Sequence, residues 1–352
     1  MSRPTPSIIV PLALLSVLVL LAGCGGSVAS TSPASQRSAS PASVASAGPG
    51  QVPAEPATRF SWPDGERPTV SRAMTGLDEA YINPGAVIDD DGMLHMYANV
   101  FTEWPGEMQV MHLSSADGVE WTLAQPDPVL VSKDVPFARP GFDVSSGFIA
   151  PDGTWVLAFE TTSIVHPWEI GIATAPGADG PWTVAPAPVL SVTEGSWDAG
   201  GVAWPSVVAA DDGFAMYYSA FATNPRETVI ARATSTDGLA WTKGDGPVLE
   251  PAAQWERVGL DRPRVVRAGD RYVIVYSGSD LTDRGVAFSD DGIAWERDGD
   301  APAIQMEGYP VDGRAWDAAL VHRDGVLTYY LEIGVATAST GTEIYRATAP
   351  LP

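Results

Sequence analysis

Ser235-Thr236-Asp237-Gly238-Leu239-Ala240-Trp241 is the stretch whose reading decides the fold. The same Asp-Gly-then-Trp element recurs at Asp117-Gly118-Val119-Glu120-Trp121, Asp179-Gly180-Pro181-Trp182 and Asp291-Gly292-Ile293-Ala294-Trp295, with the aspartates 62, 58 and 54 residues apart. Asp-Gly suits a tight turn, because glycine accepts positive φ and aspartate can cap its own backbone. The tryptophan that follows begins a strand and can pack between neighbouring sheets. Self-similarity at such a period marks a repeated supersecondary unit that buries its apolar faces only against its neighbours.

Working outward, three of the tryptophans lead to Pro-Val-Leu, at Pro128-Val129-Leu130, Pro188-Val189-Leu190 and Pro247-Val248-Leu249. The segment from Trp62 to Pro68-Thr69-Val70 has the same shape. At the far end, Thr342–Thr348 matches Thr228–Thr234, but the chain stops before another Trp element. The first segment therefore supplies the strand that the last unit lacks. Each unit carries two further strand-like runs, such as Val202–Val208 with Phe214–Ala220, giving four strands per unit. The expectation is an all-β chain, a five-bladed β-propeller over residues 59–352 whose N-terminal strand completes the last blade. The 35 glycines and 31 prolines agree, since they argue for many turns and against a helical bundle.

The first 58 residues read as address and tether. Arg3 precedes an apolar run, Ile8 to Leu21, too short for a comfortable membrane span. Leu21-Ala22-Gly23-Cys24 resembles the bacterial lipobox, which implies a signal peptide over residues 1–23 and diacylglyceryl attachment at Cys24. From Cys24 to Thr58, 27 of 35 residues are Ala, Ser, Gly, Pro or Thr, a composition that cannot form a core. An extracytoplasmic protein, anchored to the bacterial cell membrane by lipidated Cys24 and held off it by a disordered spacer, is the expectation. With one cysteine, no intrachain disulfide or thiolate cluster can form. The residues after 58 hold 18 bases and 42 acids, a net −24 that repels phosphate backbones and excludes nucleic acid as a natural partner.

A five-bladed propeller with serine-led Asp-Gly-x-x-Trp turns resembles the glycoside hydrolase superfamily of arabinanases, β-xylosidases, invertases and levanases. The resemblance covers nearly all of residues 59–352. It implies a glycan bound at the channel mouth and three carboxylates on inner strands: a base or nucleophile in blade one, an orienting Asp in blade three and an acid in blade four. The first-blade Asp-Pro corresponds to Asn83-Pro84, and asparagine neither takes a proton from water nor attacks as a carboxylate. The third-blade position falls at Ala203 or Trp204. The fourth-blade Glu-x-Pro corresponds to Asp261-Arg262-Pro263. Some relatives hold a channel calcium ion, but no loop here has calcium-binding spacing, and no cofactor or metal is expected.

Other inner-strand carboxylates are Asp143 in blade two and Asp317 in blade five, so Asp261, Asp143 and Asp317 are the candidate catalytic set. Two carboxyl groups in different protonation states are what glycosidic cleavage requires. Asn83, Trp204, Arg262, Trp316 and Trp104 are the candidate substrate contacts, the indoles as sugar platforms. The repeat tryptophans Trp62, Trp121, Trp182, Trp241 and Trp295 are assigned to inter-blade core. The reading is a monomeric glycoside hydrolase-like lipoprotein that takes oligo- or polysaccharide. Its alternative is a non-catalytic carbohydrate-binding or scaffold lipoprotein that has lost the acid pair.

Overall fold

The computed structural model describes residues 53–77, 80–162, 167–225, 227–278, 281, 283–335 and 341–351. The signal segment, Cys24, nearly all of the tether, Asp78, Glu79 and His166 lie outside the described residues.

Five antiparallel sheets stand around a central channel, each begun by its inner strand: Tyr81–Asp90, Gly141–Ile149, Gly201–Ala210, Leu260–Ala268 and Gly313–Arg323. Each inner strand contacts those of the two adjacent blades, and the ring closes from blade five to blade one. Blades one to four build their strands outward in sequence order. Blade five has three strands of its own, and the N-terminal segment supplies the rest. Ser61 and Thr348 exchange two backbone hydrogen bonds of 2.8 Å, and Thr69 and Val70 pair with Ile344. The fold is a five-bladed β-propeller closed by its N-terminal strand, as the repeat predicts.

The Asp-Gly turns explain why the repeat is spelled as it is. In blade three, Asp237 Oδ1 accepts from the backbone N–H groups of Leu239 and Ala240 and from Ser235 Oγ, while Ser235 Oγ accepts from Gly238 N. The turns at Ser115/Asp117 and Ser289/Asp291 repeat this pattern. The next links are between blades. Tyr330 of blade five donates to the Gly118 carbonyl of blade one and packs edge-on to Trp121. Tyr217 of blade three does the same for Gly292 and Trp295 of blade four. The repeat tryptophans thus each join one of five apolar clusters between neighbouring blades, Trp62 that of the last blade.

The backbone N–H groups hold the Asp237 carboxyl below its ordinary range. Its contribution to stability is therefore present above the unfolded-state value and lost as pH falls through the lower folded one. Asp237→Ala is expected to cost about 1 kcal/mol in denaturant melts at pH 7. The difference from the parent should vanish well below pH 4, a value about that of a free carboxyl.

One boundary shifts. The sequence reading begins the folded part at Arg59, but Ala57 and Thr58 donate to the Asp298 carboxylate, and the Ala54 carbonyl accepts from Asp300 and Ala301. Composition hides this because the docking uses backbone groups, which alanine, proline and threonine carry as well as any residue.

Candidate active site at the channel mouth

Every inner strand breaks register at the same level, at Asn83/Ala86, Val144/Ser146, Ala203/Ser206, Asp261/Arg264 and Ala315/Ala318. Pro84, Pro205 and Pro263 sit in three of these bulges, where a residue without an N–H is tolerated. A bulge re-aims side chains. Here the bulges of blades three, four and five bring Trp204, Arg262 and Asp317 to the channel mouth. Trp204 and Arg262 occupy them with left-handed backbone, at φ 51° and 48°. Such strain in residues with side chains persists only where surrounding structure fixes it, and it clusters at functional sites.

Five carboxyl groups converge there: Asp143, Glu160, Asp261, Asp317 and Glu332, all buried. Two buried guanidinium groups face them. Arg262 gives Nη1 to Asp261 Oδ2 at 2.7 Å and Nε to Asp317 Oδ1 at 2.9 Å, and lies 4.2 Å above the Trp204 ring. Arg264 reaches Asp317 at 3.7 Å and Ser145 Oγ at 3.4 Å, and donates to the carbonyls of Ala318 and Pro263. Ser145 Oγ donates in turn to Glu160 Oε2 at 2.9 Å.

Five acids against two bases leave an excess of negative charge in a space of low dielectric, so some of the carboxyls must be neutral. Burial pushes Asp143 well above the usual carboxylate range and the charge on Asp317 adds to this, while Asn83, Arg262 and Arg264 oppose it. Glu160 is raised by burial, then by Asp143 and Asp317. Glu332 is raised by burial and by Asp317, whose backbone N–H it accepts at 3.2 Å. Asp261 is raised by burial against the pull of Arg262.

A small cavity of about 20 Å³ opens at the mouth, lined by Trp104, Asp143, Glu160, Thr161, Thr162, Trp168, Trp204, Arg262 and Asp317. Of the candidate residues, Asp143, Asp317, Trp204, Arg262 and Trp104 come together there. Asp261 does not line it, since both its oxygens turn to Arg262, one of them to that residue's backbone N–H. Asn83 is fully buried and supports Asp143, donating to it at 3.2 Å while its own oxygen accepts from Asn99 and Gly85. Trp204 is buried beneath Arg262, which rules it out as an open platform. Trp316 also lies away from the cavity, with its ring against Gly334. Trp104, 48% exposed, is the indole that faces solvent, edge-on to Trp168, which is edge-on to Trp204.

The sequence reading passed over Glu160 and Glu332, whereas Trp168, in Pro167-Trp168-Glu169, is a loop tryptophan that it pairs with Trp104 as a sugar platform. The signal for the two glutamates was present. Each is a lone acid in an apolar strand, Trp155-Val156-Leu157-Ala158-Phe159-Glu160 and Tyr329-Tyr330-Leu331-Glu332-Ile333, where burial is implied for the whole run. Asp198 and Glu256, which also precede inner strands, serve structure. Lys243 binds Asp198, while Arg297, Tyr276 and the N–H groups of Ala252 and Ala253 bind Glu256. Among the described residues no group of three or more His, Cys, Asp or Glu is arranged to hold a metal ion.

Below the bulges the channel widens to a cavity of about 270 Å³, lined by all five inner strands. Ser146 and Ser206 tie its walls together, accepting from Val207 N and Val265 N of the next blade.

Comparison with known proteins agrees with this architecture. Residues 182–332 match the family model described as beta-1,4-mannooligosaccharide phosphorylase. A glycosyl hydrolase from Bacteroides ovatus superposes with a TM-score of 0.60 at 16% identity, over 84% of this chain and 97% of that one. The GH43_1 enzyme from Xanthomonas citri complexed with xylotriose superposes at 0.58 and 19% identity, over 81% and 89%. A structure reported for the GH130 family of mannoside phosphorylases, which contains glycoside hydrolases that target beta-1,2 mannosidic linkages in Candida mannan, superposes at 0.58 and 16% identity, over 86% and 98%. No curated protein matches the sequence significantly. In fold, and in sequence from the last strand of blade two into blade five, the chain resembles the five-bladed β-propeller superfamily of glycoside hydrolases.

Proposed function

We propose that the channel mouth cleaves a glycosidic bond, with water as the acceptor. The observation that carries this reading is the set of buried carboxyls in unlike environments around one cavity. Asp317 is paired with Arg262 and Arg264, while Asp143 and Glu160 of blade two are driven toward their neutral forms. Pairs of carboxyls pushed apart in this way divide into acid and base, or acid and charge stabiliser, as oxocarbenium-like chemistry demands. Asp317, held by both buried arginines, is the partner placed to stabilise charge, and blade two provides the proton donor. Trp104 at the rim gives a sugar ring its apolar face.

The matched family model supports a β-mannoside as the substrate class. The charge balance favours hydrolysis over phosphorolysis. Both buried arginines are engaged by carboxylates, carbonyls and Ser145, so a phosphate dianion would have to compete for them with Asp261 and Asp317. The reading includes delivery of the domain to the outside of the cell by the lipidated Cys24, which the sequence alone supports.

Product analysis with β-1,4-mannobiose tests it. Free mannose is expected as the product, at a rate that inorganic phosphate does not raise. Mannose 1-phosphate formed only in the presence of phosphate would instead assign phosphorolysis. Saturable binding without turnover would restore the alternative of a carbohydrate-binding lipoprotein.

A further inference from the structure

Among the described residues, Glu160 is the carboxyl with a buried oxygen left without a hydrogen-bond partner. It is 2% exposed, lies on the second strand of blade two directly across from Asp143, and lines the mouth cavity. One of its oxygens, Oε2, accepts from Ser145 Oγ, whereas Oε1 is buried without a hydrogen-bond partner. A buried polar atom left unpaired costs on the order of 1–3 kcal/mol. That cost makes sense where a ligand completes the bond. The cavity beside it holds about 20 Å³, enough for a single oxygen atom or water molecule. Asp143 is placed differently, since Asn83 already occupies its oxygens.

We propose that Glu160 is the proton donor to the departing oxygen of the glycosidic bond. The assignment rests on the hydrolytic reading above and names the protonated partner that it leaves open within blade two. Contacts of 3.7, 3.4 and 2.9 Å run from Asp317 through Arg264 and Ser145 to Glu160. The two carboxyls are therefore no more than about 10 Å apart, an upper bound that takes in both separations used by paired glycosidase carboxyls. In the step, the Oε1 proton passes to the glycosidic oxygen as the bond from that oxygen to the anomeric carbon breaks. The alcohol leaves, and the bonding pair goes with its oxygen. Asp317 stabilises the positive charge that develops on the sugar. Water adds to the anomeric carbon and releases a proton, which restores the Glu160 carboxyl, so the balance is one water consumed per bond cleaved.

The groups facing Glu160 set its proton affinity. Asp143 and Asp317 raise it, Arg264 and the Ser145 hydroxyl lower it, and Arg262 lies within electrostatic reach. Because the carboxyl is held neutral, glutamine at this position reproduces its shape and charge, and Glu160→Gln should fold as the parent does.

The test compares two β-mannosides in the parent, Glu160→Gln and Glu160→Asp. β-1,4-Mannobiose needs a proton on its leaving oxygen, and 2,4-dinitrophenyl β-mannoside does not. Glu160→Gln is expected to lose roughly 10²–10⁴-fold in kcat/KM on mannobiose, the usual worth of a general acid. It should lose less than about ten-fold on the aryl mannoside, and the alkaline limb of the pH profile should disappear. Glu160→Asp should keep that limb at a reduced rate. Equal losses on both substrates, or a parental rate on mannobiose, overturns the assignment while leaving hydrolysis standing. A parent enzyme that cleaves neither substrate overturns the hydrolytic reading and this one with it.

Discussion

Asp317→Asn is expected to lower kcat on β-1,4-mannobiose about 10³-fold, within the range typical of a positioned catalytic carboxylate, and to change KM by less than about three-fold. The reason is charge. Asp317 is the mouth carboxylate held by both buried arginines, and it sits across the cavity from blade two. An amide keeps its shape but cannot stabilise a positive charge on the sugar. The asparagine should also relieve Asp143, Glu160 and Glu332, since the charge on Asp317 is among the causes that raise all three. A drop in kcat with a downward shift of the alkaline pH limit is therefore the expected pair of changes. A raised KM with kcat unchanged would assign Asp317 to binding alone.

Arg262→Met is the larger test of stability. The guanidinium bridges Asp261 and Asp317 and is stacked on Trp204, all inside the protein. Its removal leaves two buried carboxylates short of a counter-ion, which costs about 3–5 kcal/mol when a buried pair is broken from one side. Methionine keeps much of the contact with the indole, so the loss reports charge more than packing. Its pH dependence has a definite sign. Asp261 is raised by burial even in the presence of Arg262. A raised carboxyl contributes stability that is fully present below its unfolded value and lost as pH rises through its folded value. Without Arg262 that folded value climbs further. The deficit in denaturant melts should therefore be greatest near pH 8 and shrink toward pH 5. A deficit of the same size at both would mean that Arg262 acts through packing.

The architecture was legible because it is written several times over. Asp237, its three counterparts and the tryptophans that follow them mark the turns, and the final strand without a Trp element predicts closure by the segment around Trp62 and Val70. Pro84, Pro205 and Pro263 also mark the bulges, because a missing N–H constrains a strand wherever it falls. The site was legible only in part. Asp143, Asp317 and Arg262 line the mouth, as inner-strand position suggests, and Trp104 joins them from the loop after the second strand of blade one. Asp261 matched a family position in sequence, yet the left-handed backbone of Arg262 turns the guanidinium back on it and withdraws it from the cavity.

Glu160 and Glu332 were missed for a different reason. They lie on second strands and meet the inner-strand acids only through cross-strand register, Asp143 opposite Glu160 and Asp317 in the bulge that faces Glu332 and gives it a backbone N–H. Which residues face each other across a sheet is a tertiary fact that a motif on one strand does not carry. The acid-rich composition also worked against recognition. Most of the acids cap turns or pair on the surface, as Asp237 and Asp89 do, so the handful with chemistry was hidden among them.

The central claim is that the mouth bounded by Trp104, Glu160 and Asp317 holds the bond that is cut. A crystal structure of Asp317→Asn soaked with β-1,4-mannotetraose tests it most directly. The account predicts a sugar ring against Trp104, with a glycosidic oxygen within hydrogen-bond distance of Glu160 Oε1. An oligosaccharide bound elsewhere on the propeller, with this mouth empty, would contradict it.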